Sequence, residues 1–135
     1  MKDCIFCNIV SGVFDAVDVC ENDCCKVILD RFPSRPGHLL VVSKAHYENV
    51  YDVDEAVYAE MMKTALRMAK RIKRVMQCNG VNILQNNEPV AGQTVFHIHI
   101  HVIPRFEGDE VTVAWRSSEP SIEDLEAVAT KLRTE

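Results

Sequence analysis

FHIHIHVIPRF, residues Phe96–Phe106, sets three of the chain's five histidines at alternate positions with apolar residues between and after them. On an extended strand, residues two apart point to the same face. His97, His99 and His101 therefore project together, while Ile98, Ile100 and Val102 turn to the other side. The apolar set needs a core to cover it, which makes this segment one strand of a sheet with a buried face. At about 3.3 Å of rise per residue, the backbones of His97 and His101 lie roughly 13 Å apart. A zinc-bound imidazole nitrogen sits only about 2 Å from its ion, so one tetrahedral ion cannot readily gather all three rings. The row has to divide its tasks. An exposed strand face without chemistry is the plain reading of one such histidine, but not of three in succession.

Around this strand the chain reads as short elements joined by turns. Ile5 to Val10 forms a helical turn that ends at Ser11 and Gly12, where glycine permits the exit. Val17 to Glu21 and Cys25 to Leu29 read as antiparallel strands joined by a turn at Asn22 and Asp23. DRFPSRPGH, with two prolines and a glycine, is a loop leading to a third strand, His38 to Ser43. Asp52 with Glu55 resembles a capping box, and Asn79-Gly80 a stop. Between them Val57, Tyr58, Met61, Met62, Ala65, Leu66, Met68, Ala69, Ile72, Val75 and Met76 recur at helical spacing. Core packing accounts for most of that wide stripe, and its width leaves room for a partner helix. Val81 to Leu84 and Val95 to Ile103 are the fourth and fifth strands, and Ser121 to Arg133 a closing helix. The expected class is α+β: an antiparallel five-stranded sheet with one long helix and a C-terminal helix, the helices on one face, in a single domain spanning residues 1–135.

Composition narrows the function. The 135 residues, 47% of them hydrophobic, suffice for one core. Neither a bilayer-crossing apolar run nor a secretory start is evident, so a cytoplasmic location is expected. A net charge of -5 argues against sequence-independent nucleic-acid binding. Lys63, Arg67, Lys70, Arg71, Lys73 and Arg74 read as the solvated face of the long helix. Without an export signal, the six cysteines are expected to be mostly reduced, and Cys20, Cys24, Cys25 and Cys78 read as small apolar residues. Cys4 and Cys7 form a C-x-x-C pair compatible with zinc, redox chemistry or two packed thiols.

The histidine row suits phosphoryl chemistry. A neutral imidazole is a competent nucleophile toward phosphorus, and a neighbouring one can protonate a leaving group. Gly92, Gln93 and Thr94, just ahead of the row, supply a flexible backbone position, an amide and a hydroxyl able to hold phosphate oxygens. No glycine-rich P-loop points to a kinase or a nucleotide-driven motor.

HIHIHVI at His97 to Ile103 resembles the signature of the histidine-triad family. AGQTVFHIHIHVIPR resembles the active-site strand of its nucleotide hydrolases, and nearly the whole chain fits from CIFC through LDRFPSRPGHLLVVSKAH. The resemblance implies attack on the α-phosphate of purine nucleoside phosphoramidates or adenylylated conjugates through a covalent nucleotidyl-histidine. His99 is then the nucleophile, His101 the group that contacts phosphate and assists proton transfer, and His38 a supporter of the nucleophile by hydrogen bonding, unless it is a satisfied core residue. Asp30 matches the carboxylate that holds the ribose hydroxyls. Asn86, Gln93 and Thr94 match the phosphate-holding groups, and Ile5, Phe6, Ile9 and Ile28 the apolar wall around the base, though all four also suit plain core. Arg31 departs from the apolar residue common in relatives, which leaves base preference open.

Bacterial members with the N-terminal cysteine pair often carry a structural zinc. The matching ligands are Cys4, Cys7, His46 and His97, a closed set suited to structure; reduced packed thiols are the alternative. The resemblance also implies a homodimer through the long helix and an adjacent strand. Two other readings stay open: a dinucleoside polyphosphate hydrolase, favoured by the GQTV and HVIPR segments, and a catalytically inactive zinc-stabilised nucleotide-binding interaction module.

Overall fold

The computed structural model describes residues 2–134. Its elements run α1 (Ile5–Val10), β1 (Asp18–Glu21), β2 (Cys25–Leu29), β3 (Leu39–Ser43), α2 (Glu55–Val75), β4 (Gly80–Leu84), β5 (His99–Arg105) and α3 (Ile122–Arg133), with a 3₁₀ turn at Pro89–Ala91. The five strands form one antiparallel sheet, as the sequence leads one to expect, and their order is β1-β2-β3-β5-β4. Asn22 builds the first hairpin turn by accepting the N–H groups of Cys24 and Cys25 at 2.8 and 2.9 Å.

The histidine strand lies inside the sheet, between β3 and β4. Val41 pairs with Ile100 and Leu39 with Val102; this face, with Val27 and Ile98, packs on Met61, Ala65, Met68 and Ile72 of α2. The alternate residues face the other way. Leu40 and Val42 meet Phe6 and Ile9 of α1, and their partners His101 and His99 share that face. The two faces have different coverings, so the expectation that all helices share one face is corrected. α1 packs opposite α2, and α3 buries no residue.

Three local boundaries also differ. α2 is capped by Asp54, whose carboxylate accepts the Ala56 N–H at 2.8 Å, and not by Asp52. Asp52 accepts the N–H groups of Glu48 and Asn49 one turn earlier. The helix ends at Val75, with Gln77 at a φ of 51°, ahead of the Asn79-Gly80 stop. There Lys73 Nζ donates to the carbonyls of Cys78 and Asn79 at 2.7 and 3.0 Å. β5 begins at His99 rather than Val95. His97 lies on the bend before it, with Ile98 N–H donating to the Tyr47 carbonyl at 2.7 Å. That bend turns His97 away from a simple three-residue row.

Candidate active site and metal centre

The backbone fixes the state of each buried ring. His99 Nδ1 lies 2.7 Å from the carbonyl oxygen of His97. A carbonyl can only accept, so Nδ1 carries the proton and Nε2 keeps its lone pair. Phe6 packs edge-on against the ring at a centroid distance of 5.0 Å. Burial pulls the pKa of His99 below its ordinary value, against the pull of the His97 carbonyl and of Asp30. The result is a neutral imidazole with a free nitrogen at neutral pH.

His101 is set by a longer chain of bonds. The Ser34 N–H lies 3.0 Å from His38 Nδ1, and an N–H can only donate, so the proton of neutral His38 sits on Nε2. His38 Nε2 lies 2.9 Å from His101 Nδ1 and 3.3 Å from Asp30 Oδ2. His101 accepts at Nδ1 and carries its own proton on Nε2. Burial, then the neighbouring His99 and His38 rings, bring His101 down to about 4, with Asp30 opposing. His38 is also lowered, chiefly by burial. The expected bond from His38 to His99 is thus corrected: among the described residues His38 bonds His101. Ser34, in the loop before His38, is a residue the sequence reading missed; both its N–H and its hydroxyl oxygen lie 3.0 Å from His38 Nδ1, and only the N–H fixes the direction of the bond.

The third histidine faces another cluster. His97 Nε2 donates to the Ser43 carbonyl at 2.7 Å, which leaves Nδ1 free to accept. That nitrogen lies 3.3 and 3.5 Å from Sγ of Cys4 and Cys7 and 3.1 Å from His46 Nδ1, which is itself 3.3 Å from Cys7 Sγ. All four donor atoms fall within 4.8 Å of one another. Zinc bonds of about 2.3 Å to sulfur and 2.0–2.1 Å to nitrogen place tetrahedral donors roughly 3.3–3.8 Å apart, close to this spacing. The Ser43 carbonyl holds His97 as a metal-bound histidine is commonly held, through its other nitrogen. Burial and the adjoining Cys4 push the Cys7 thiol up, a conflict that a cation between the sulfurs removes. The residues present fit zinc.

Above His99 and His101 opens a cleft of about 750 Å³. Ile5, Phe6, Ile9 and Ile28 form its apolar wall; Asp30 and Thr94 line it, as do Phe14, Asp15, Arg31 and Phe32. Two expected phosphate holders, Asn86 and Gln93, are not among its lining residues. Gln93 is only 3% exposed and its amide is consumed by the fold: Nε2 donates to the carbonyls of Glu48 and Val95, and Oε1 accepts from Glu88 N–H at 2.7 Å and from Asn49. Its side chain braces the segment ahead of the histidine strand. Asn86 Nδ2 donates to the Gly92 carbonyl at 3.3 Å. Gly92 has a φ of 99°, a left-handed conformation that favours glycine, and an added Cβ would stand 3.1 Å from that same amide. Thr94 also borders a second groove, of about 630 Å³, whose charged walls are Asp3, Glu48 and Asp52 with His46.

The HIT domain family matches residues 11–108, most of the chain. The chain belongs to the HIT domain family. The Cys4–Cys7 pair lies ahead of the matched span, while the three histidines lie within it. Among HIT relatives, the "Protein hit" of Bacillus subtilis is 33% identical over 97% of this chain and 92% of its own length. The adenosine 5′-monophosphoramidase HNT1 of Saccharomyces cerevisiae is 32% identical over 90% of this chain and 75% of its own. The crystal structure of SMU.412c from Streptococcus mutans UA159 superposes with a TM-score of 0.95 at 34% identity, covering 99% of this chain and 85% of that one. A zinc-bound histidine triad family protein from Mycobacterium smegmatis gives a TM-score of 0.78 at 35% identity, over 98% of this chain and 97% of that one.

Proposed function

We propose that this HIT protein is a nucleotidyl hydrolase that cleaves at the α-phosphate of purine nucleoside phosphoramidates or adenylylated conjugates through a covalent nucleotidyl-His99 intermediate. The observation that carries this reading is the 2.7 Å bond from His99 Nδ1 to the His97 carbonyl, which leaves a nucleophilic Nε2 on a buried neutral ring. The activity named for the yeast relative supports the same bond class.

In the first step His99 Nε2 bonds phosphorus as the P–N bond to the leaving amine breaks. The imidazolium this creates on His99 strengthens its hydrogen bond to the His97 carbonyl. An anionic phosphate against His101 raises that ring's pKa, so it takes up a proton and hands it to the leaving nitrogen. Water then displaces His99 from phosphorus and returns its proton to His101. His38, held by Ser34 and Asp30, keeps His101 oriented, and Thr94 is placed to meet phosphate oxygens.

The groove beyond Thr94 favours a phosphoramidate over a dinucleoside polyphosphate. Its carboxylates Asp3, Glu48 and Asp52 repel a polyphosphate leaving group but tolerate a neutral or cationic amine. Zinc, when bound by Cys4, Cys7, His46 and His97, would tie α1 to the bend before β5 and leave no ligand position for chemistry; the zinc-bound relative supports that centre. Six unpaired cysteines suit a reducing, cytoplasmic setting. Met62 and Leu66, 38% and 50% exposed on the outer side of α2, suit a homodimer seam. A sedimentation measurement showing a monomer for wild type and Leu66→Glu alike would contradict the dimer.

The test of function offers adenosine 5′-phosphoramidate and a diadenosine polyphosphate side by side to wild type and to His99→Ala. Phosphoramidate turnover by wild type alone is expected. Preference for the polyphosphate would transfer the reading to the other hydrolase class, and no turnover of either by wild type would leave a binding module.

A further inference from the structure

The proposed chemistry leaves two charged side chains of the cleft without a task. Asp15 and Arg31 both line it, both are exposed, and among the described residues neither side chain makes a hydrogen bond or ion pair. They flank the same end of the β1–β2 ladder. Asp18 pairs with Ile28, and Leu29 N–H donates to the Val17 carbonyl at 2.9 Å; Asp15 and Arg31 each lie two residues beyond that last bond, on the rim of the cleft. Phe14 and Phe32, their chain neighbours, are 48% and 87% exposed and line the same cleft. Large aromatic faces left open at the mouth of an apolar cleft suit stacking on a planar base.

Taking the cleft as the nucleotide site proposed above, we infer that Asp15 and Arg31 read the edge of the base, and that the chain prefers a 6-oxopurine, guanine above all, to adenine. A carboxylate accepts hydrogen bonds only and a guanidinium donates them only. Guanine offers both what they need: its N1–H and N2 amino group face a carboxylate, and its O6 and N7 accept from a guanidinium fork. Adenine places an amino group where the guanidinium needs an acceptor, and a lone pair at N1 where the carboxylate needs a donor. Its fit to this pair is poor on both sides. Hypoxanthine keeps O6, N7 and N1–H but lacks the N2 amino group, so it ranks between them.

The test is calorimetric binding of GMP, IMP and AMP, none of which carries a bond for the enzyme to cleave, to full-length protein with its metal as purified. Wild type is expected to bind GMP about tenfold more tightly than AMP, with IMP between them. Arg31→Leu and Asp15→Asn should each bring GMP toward the AMP affinity while leaving AMP nearly unchanged, a readout that loss of folding would not produce. Equal binding of GMP and AMP by wild type, or a GMP preference that survives in both variants, would overturn the inference and leave the hydrolase reading standing. Absence of binding by all three nucleotides would instead overturn the nucleotide site itself, and the base assignment with it.

Discussion

His99 owes its readiness to a carbonyl two residues back in the chain, and His101 owes its proton position to a main-chain N–H across the sheet. Such state-setting bonds are invisible in sequence, because they come from backbone groups that every residue carries. The alternating histidines, and through the family resemblance the grouping of His97 with Cys4, Cys7 and His46, were legible; the bond of His38 to His101 was not. Burial of neutral rings also fixes a pH dependence. His101, held near 4 against about 6.5 when unfolded, takes up a proton more readily in the unfolded chain. Its contribution to stability is therefore complete above about pH 6.5 and is lost as pH falls toward 4. Urea midpoints should drop across that window, and less steeply in His101→Gln; parallel pH curves for the two proteins would refute the assignment. Gln93 makes a different prediction. Replacing its buried, fully bonded amide in Gln93→Ala should cost on the order of 2 kcal/mol of stability, because several main-chain groups lose their partners. A variant that is as stable as wild type but defective only in turnover would restore Gln93 to the phosphate site.

At the level of elements, periodicity and turn signals located the three α-helices and five strands but not the 3₁₀ turn at Pro89–Ala91, and the other errors lie at element ends. The long helix was legible from its apolar stripe, yet two acidic residues compete for its start and only the fold chooses Asp54. Asp54→Ala should cost about 1 kcal/mol, measured by denaturant unfolding, whereas Asp52→Ala removes two bonds in the preceding turn and not the cap. Similar α-helical content with no loss of stability in Asp54→Ala would contradict the cap. β5 starts four residues later than alternation implies, because His97 is drawn into the bend by the Ser43 carbonyl and the cysteine cluster. Those tertiary partners lie 54 and about ninety positions away, beyond any local signal. α1 shows the same limit. Its six residues were legible as a helical turn, but its place on the face opposite α2 depends on Phe6 and Ile9 finding Ile28, Leu40 and Val42.

For the whole molecule, α1, the bend before β5 and the segment after β3 meet at Cys4, Cys7, His97 and His46. A metal there cross-links parts of the chain far apart in sequence, and its binding energy becomes folding energy. Protein purified without chelator should hold about one zinc per chain, and Cys4→Ser, Cys7→Ser should lose both the metal and several degrees of melting temperature. Unchanged zinc content in the double variant would rule the site out. The architecture places this centre and the nucleophile on two sides of one carbonyl: His97 presents its ring to the cysteines and its backbone oxygen to His99. The central claim is that phosphorus passes through His99. Wild type mixed rapidly with adenosine 5′-phosphoramidate, quenched in denaturant and read by peptide mass spectrometry tests it most directly. A transient adenylyl group on the peptide containing His99, absent from His99→Ala, is the predicted result; adenylylation on another residue, or unimpaired turnover by His99→Ala, would contradict it.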